Sequence, residues 1–173
     1  MKTSYNCLST LPGSFILWVI CCLLLSASVV CAGEEDGSRR IILSGLTSSG
    51  NMQQISVKEI ESLGLVEVEL DSPFLEHKTH FSGVWLDQFV SHFGTSEVEN
   101  VLLTAIDKYE VSISRADWST FKILLVTREQ GKYIGYQQKG PMRVVFPDHY
   151  PNKKNSQANL PKWIWMITEI KLK

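Results

Sequence analysis

Tyr136-Gln137-Gln138-Lys139-Gly140-Pro141-Met142-Arg143-Val144-Val145-Phe146-Pro147 is the stretch on which the reading of this chain turns. A Gly-Pro pair punctuates it, an arginine enters an apolar run, and a second proline ends the run. Glycine and proline here shape the entry to a strand, because one relaxes the backbone and the other fixes its φ. Arg143 has two readings, a ligand anchor or the polar start of a buried strand. The residues alone leave both open.

Upstream of this stretch, residues 121–127 hold Ile123-Leu124-Leu125-Val126, apolar on both faces, which predicts a central strand. Arg128-Glu129-Gln130-Gly131 turns the chain and Lys132-Tyr133-Ile134 leads back towards the Gly-Pro pair. Downstream, Pro147-Asp148-His149-Tyr150-Pro151 reads as a rigid loop followed by a polar segment. A last strand is predicted from Trp163, apolar on both faces through Ile167 and amphipathic through Leu172.

Further from the centre, Val98 to Ile106 and Tyr109 to Ser114 predict a hairpin around Asp107-Lys108. Ser114-Arg115-Ala116-Asp117 starts a short helical turn. From Gly83 to Gly94, Trp85, Phe89 and either His92 or Phe93 recur at helical spacing, as on an amphipathic helix laid against a sheet. Val66, Val68 and Leu70 alternate with Glu67 and Glu69, the pattern of a half-solvated strand. Ser56-Val57-Lys58-Glu59 is a capping box, predicting a helix of about two turns that stops at Gly64. Residues 41–43 are a short β-prone run, and 46–53 read as loop. About five to seven short strands and two or three short helices, without βαβ order, predict a single α+β domain with a mixed or mainly antiparallel sheet.

The chain has 173 residues, 44% of them hydrophobic, enough for one domain with a sizeable core. Residues 1–32 are expected to be a cleaved signal peptide. Lys2 precedes an apolar run from Phe15 to Val30, and Val30-Cys31-Ala32 supplies small residues ahead of the acidic 34–36. The expected location of residues 33–173 is therefore the periplasm or the exterior, with no stable membrane insertion after processing. Cys7, Cys21, Cys22 and Cys31 all fall within residues 1–32. Residues 33–173 thus contain no thiol nucleophile, no redox pair and no thiolate metal ligand. They keep all 18 acidic residues and, without Lys2, 16 basic ones, a balance of −2 with the charges interspersed. Nucleic acid is not an expected partner.

No zinc motif, phosphate-cradling Gly-rich loop or nucleophile elbow occurs. His77 and His80 have loop-compatible metal spacing and with a distant carboxylate could bind a metal, but such spacing is common on surface loops and they read as solvated. Arg115, Lys139, Arg143, His149 and Lys162 form the better set, each at a strand end or loop beside aromatic residues or prolines. If those ends converge, they make a basic, aromatic-lined pocket suited to an anionic small molecule or an anionic cofactor. Alternatively, each cation is solvated while its stem covers an aromatic edge.

The order of motifs resembles the molybdopterin-binding domain of the sulfite oxidase family. Phe81-Ser82-Gly83-Val84-Trp85-Leu86 is similar to its Phe-x-Gly-Val-x-Leu element. Ala105-Ile106-Asp107-Lys108-Tyr109 resembles its Ala-x-Asp-Gly-Tyr hairpin, with Lys108 in place of glycine. Lys139-Gly140-Pro141-Met142-Arg143-Val144-Val145-Phe146-Pro147 is similar to its Gly-x-Pro-x-Arg-x-Val-x-Pro segment in compressed form, and Lys162-Trp163 matches its closing Lys-Trp. The resemblance runs from about residue 56 to 170 and implies a sulfite-oxidase-type α+β fold, with Arg143 and Lys162 at positions of the cofactor region. Family enzymes bind a molybdenum–pterin cofactor whose metal takes a protein thiolate, which residues 33–173 cannot provide. Two functions follow as expectations. One is a non-catalytic periplasmic module that binds an anionic small molecule or a protein partner. The other is a molybdopterin-dependent oxidoreductase or its accessory subunit.

Overall fold

The computed structural model describes residues 37–71, 73–74, 77–148 and 158–173. The expected signal segment and His149 lie outside them. Within the described chain, ten strands form two sheets. The first has the order β2-β1-β10-β5-β6, from Arg40–Gly45 (β1), Gln53–Ser56 (β2), Asn100–Ala105 (β5), Glu110–Ser114 (β6) and Ile167–Leu172 (β10). The second has the order β3-β4-β7-β8, from Val66–Leu70 (β3), Thr79–Trp85 (β4), Leu124–Glu129 (β7) and Lys132–Tyr133 (β8), with Arg143–Val145 (β9) also pairing β7. Only β1 and β10 run parallel; every other pairing is antiparallel. The α+β class with mainly antiparallel sheets is the one the pattern predicts, but the strands outnumber the expectation.

Local signals explain most elements. Ser56 accepts from the Glu59 amide, and Glu59 reaches back to the Ser56 amide at 2.7 Å, capping the helix α1 (Val57–Glu61). The same reciprocal pattern between Ser114 and Asp117 opens α3 (Arg115–Thr120). Helix α2 (Leu86–Phe93) buries Leu86, Phe89 and Val90, so the helical periodicity is real but begins three residues after Gly83. The preceding Thr79–Trp85 is strand β4, so Gly83 to Trp85, read as the start of the helix, are its last residues. Phe81, Ser82, Gly83 and Val84 are all buried there, so no alternation marks it. Gly83 is required because a Cβ would stand 2.1 Å from the Leu125 carbonyl oxygen of the neighbouring strand. Residues 53–56, read partly as loop, pair with β1 as an edge strand.

One contiguous core takes Ile41, Leu43 and Ile170 from the first sheet, Val84, Leu125 and Val144 from the second, and Ile60 and Phe89 from helices. Burying each such side chain contributes about 1.5–3 kcal/mol. Glu61 at the end of α1 is held against β7 and β8 by a closed polar network. It accepts from Thr127 Oγ1 (2.6 Å), Arg128 Nε (2.9 Å), Arg128 Nη2 (2.7 Å) and Tyr133 Oη (2.9 Å). This anchors the helix to the sheet with every lone pair used.

The final strand differs from expectation in a way that creates the site. Trp163–Met166 is not strand; β10 begins at Ile167, after Met166 takes a positive φ of 56°. The irregular segment is stitched to two neighbours. Val144 N–H donates to the Ile164 carbonyl (2.8 Å), Met166 N–H donates to the Lys139 carbonyl (3.1 Å), and Ile106 N–H donates to the Met166 carbonyl (2.9 Å). Regular pairing gives way here to bonds that tie the Lys139–Val144 segment to the tip of the β5–β6 hairpin. No helix among the described residues is long and apolar enough to cross a membrane.

Candidate functional site

The turn carrying the site is shaped by close packing. A short 3-10 turn at Tyr136–Gln138 ends on Lys139, whose φ is 64°. Gly140 follows, and a Cβ there would lie 1.9 Å from the Ile134 carbonyl oxygen. Only glycine lets the chain pass so close before the cis Gly140–Pro141 bond leads into β9.

Arg143, the first residue of β9, is buried at 9% exposure. Its guanidinium stacks 4.6 Å from the centroid of Phe81 on β4, and its Nη2 donates to the Glu129 carboxylate at the end of β7. Cross-strand register explains the triad, because Phe81 pairs opposite Glu129 and Arg143 opposite Val126. Arg143 Nε is buried and has no hydrogen-bond partner among the described residues. Burial lowers the Arg143 pKa, while Glu129 acts to hold the charge on. The arginine is thus both strand start and a cation with an unused donor.

Arg143 faces a cleft of about 210 Å³ lined also by Phe74, Phe81, Gln138, Lys139, Trp163 and Trp165. The Lys139 ammonium sits 4.6 Å from the Trp165 ring centroid. Phe74 meets Trp163 and Trp165 edge-on, at 5.8 and 5.6 Å. Two cations and one carboxylate therefore share an aromatic-walled concavity with a net positive balance.

Of the five basic residues the sequence singles out, the cleft brings together Arg143 and Lys139. Lys162 is turned away from it, with Nζ 2.5 Å from Asp117 Oδ1. Arg115 is engaged elsewhere: Nε lies 2.9 Å from Glu99, and Nη2 donates to the carbonyls of Ser96 (2.8 Å) and Val98. His149 lies outside the described residues. The anticipated single pocket of all five does not form among the four described; Glu99, just before β5, holds Arg115, and Asp117 of α3 holds Lys162. His80 rests 3.5 Å from Glu69 on the exposed face of β3 and β4.

Glu129, Phe81, Phe74 and Trp165 belong to the cleft and were not singled out by sequence. Glu129 reads as a turn residue, and only the β7–β9 pairing sets it beside Arg143. The Trp163-Ile164-Trp165 run held a signal, two tryptophans two residues apart. It reads equally well as one face of a strand.

No family model and no curated protein sequence matches the chain. Among solved structures, it is similar to the sulfane dehydrogenase SoxCD from Paracoccus pantotrophus, with a TM-score of 0.56 at 12% sequence identity. The likeness is one of fold. It covers 79% of this chain and 38% of that one, so the chain spans well under half of the protein it matches. It supports the sulfite-oxidase-like fold that the motif order implies.

The chemistry of the donor set does not suit the family's metal–pterin group. No cysteine occurs among the described residues, so no thiolate is available to molybdenum there. Nor do three or more histidine, cysteine or acidic side chains gather there as a metal-holding group. The cleft beside Arg143 has one carboxylate, Glu129, and no histidine among its lining residues. What it offers is a charge-assisted hydrogen-bond donor and an ammonium against aromatic walls.

Proposed function

We propose that residues 33–173 form a non-catalytic periplasmic binding module on a sulfite-oxidase-like fold, exported by residues 1–32, whose ligand is an anionic small molecule. The observation that carries this reading is Arg143, buried with an unpartnered Nε and lining an aromatic cleft beside Lys139. Glu129 neutralises one charge, so the second cation makes the cleft attractive to an anion. An anionic group that reaches the guanidinium gains a charge-assisted hydrogen bond in a partly dry setting, where such bonds are strongest. A planar ligand gains further from stacking on the tryptophan and phenylalanine walls.

Trp163 and Trp165 line the cleft, so tryptophan fluorescence reports its occupation. Titrating the purified protein with small carboxylates, sulfonates and phosphates is expected to give saturable quenching. Lys139→Gln is expected to weaken it about tenfold, consistent with loss of one charged contact worth roughly 1.5 kcal/mol. Protein recovered from its native compartment is expected to carry neither pterin nor molybdenum. Stoichiometric amounts of both would overturn the reading in favour of the oxidoreductase alternative.

A further inference from the structure

A second cleft, of about 360 Å³, adjoins the first across the ridge of Phe74, Trp163, Ile164 and Trp165, residues that line both. Its remaining wall is mostly apolar, with Ile106, Tyr109, Leu160, Pro161 and Met166. The wall is built rather than incidental, because Tyr109 Oη donates to the Pro161 carbonyl at 3.2 Å across 52 residues of sequence. The two clefts are also one mechanical unit. Met166 donates its amide to Lys139 of the first cleft and accepts from the amide of Ile106 in the second.

Charge is divided between them. The first holds Arg143 and Lys139 against Glu129, and the second holds a single charge, the Asp107 carboxylate at the hairpin tip. Ile106, Tyr109, Phe74 and Trp165 are each more than a third exposed, at 49%, 52%, 46% and 37%. Such a patch costs free energy in water unless something covers it. A protein partner would have to meet a narrow concavity flanked by two cations. A small molecule with one charged end fits the separation of charge directly.

We infer that the two clefts form one elongated site for an amphipathic monoanion, with its charged head between Lys139 and Arg143 and its apolar tail across Trp165 against Ile106, Tyr109 and Met166. The reverse orientation is disfavoured because it sets the head beside Asp107. This rests on the anion-binding reading above and adds to it the class of ligand, an alkyl or aryl acid in place of a compact anion.

The test is a homologous series of n-alkyl carboxylates, acetate through butyrate and hexanoate to octanoate, titrated below their micelle concentrations against the whole protein by tryptophan fluorescence and calorimetry. Burial of each methylene predicts affinity rising about twofold to fourfold per carbon until the second cleft is filled. Ile106→Ser is expected to flatten that rise while leaving the shortest acids unchanged, and Lys139→Gln to weaken all members by the same factor. Both side chains are exposed, and an unchanged thermal midpoint checks that each variant folds. Equal affinity along the series overturns the elongated site and leaves anion binding standing. A rise that neither substitution alters places the binding elsewhere and overturns it too. Failure of every acid to bind overturns both readings.

Discussion

The Lys162 ammonium lies 2.5 Å from Asp117 Oδ1, while the other oxygen of the same carboxylate caps the helix that starts at Arg115. One aspartate thus joins the Leu160–Lys162 turn to α3. A lysine that motif order associates with a cofactor region serves here as a clasp. Burial pushes the Asp117 carboxyl upward, but the Lys162 bond and the two Ser114 bonds outweigh it, so its pKa is lowered. Lys162→Met is expected to cost about 1–2 kcal/mol in urea unfolding. A double-mutant cycle with Asp117→Asn is expected to show coupling of similar size. Additive effects would mean the clasp contributes nothing.

Glu61 gives the clearest pH prediction. Burial raises its pKa, but hydrogen bonds from Arg128, Thr127 and Tyr133 outweigh this, leaving it below the ordinary 4.5. A carboxyl with a depressed folded pKa stabilises fully above its unfolded value. That contribution fades as pH falls below 4.5 through the folded value. Glu61→Gln is expected to lose about 2–4 kcal/mol at pH 7, since it strands the Arg128 guanidinium. Its stability is also expected to fall less than that of the wild type between pH 5 and 3. Parallel pH profiles from denaturant melts would refute the assignment.

Gly140→Ala forces a methyl to within 1.9 Å of the Ile134 carbonyl oxygen, and the obstacle is backbone, which cannot rotate away. The expected loss is about 3 kcal/mol or more, in the range of severe single substitutions. Because Lys139 and Arg143 flank the turn, anion affinity is expected to fall together with the thermal midpoint. A midpoint within experimental error of wild type would show that the turn is looser than its packing implies.

Glu129→Gln removes the one carboxylate from the first cleft. The buried Arg143 charge then loses its compensation, and stability is expected to drop by roughly 1–3 kcal/mol. Anion affinity is expected to rise several-fold at low salt, because the cleft gains a full positive charge. Calorimetric titration at two ionic strengths checks both points, with the gain shrinking as salt increases. Weaker binding would assign Glu129 a direct contact with the ligand.

Much of the fold was legible along the chain. The capping box at Ser56, the helical turn at Ser114, the alternation through Val66–Leu70, the hairpin around Asp107-Lys108 and the apolar run of β7 are local signals with local causes. The α+β class followed from their order. Strand β4 was hidden because burial on both faces erases the alternation that identifies a strand, and Gly83 reads as a break until Leu125 is seen against it.

The candidate site was legible only as a set of residue types. Gly140, Pro141, Arg143 and Lys139 stood out in sequence, and Arg143 with Lys139 does share a cleft. Arg115 and Lys162 looked equivalent to them, and what sets them apart is place: their partners Glu99 and Asp117 lie outside the cleft, whereas Glu129, the partner of Arg143, lines it. Glu129 and the Phe74–Trp165 wall carried no local mark of function. Sequence records which charges exist and what each segment prefers. Which cations share a cleft, and which carboxylate stands beside each, depends on contacts between residues far apart in sequence, and tertiary packing alone decides those.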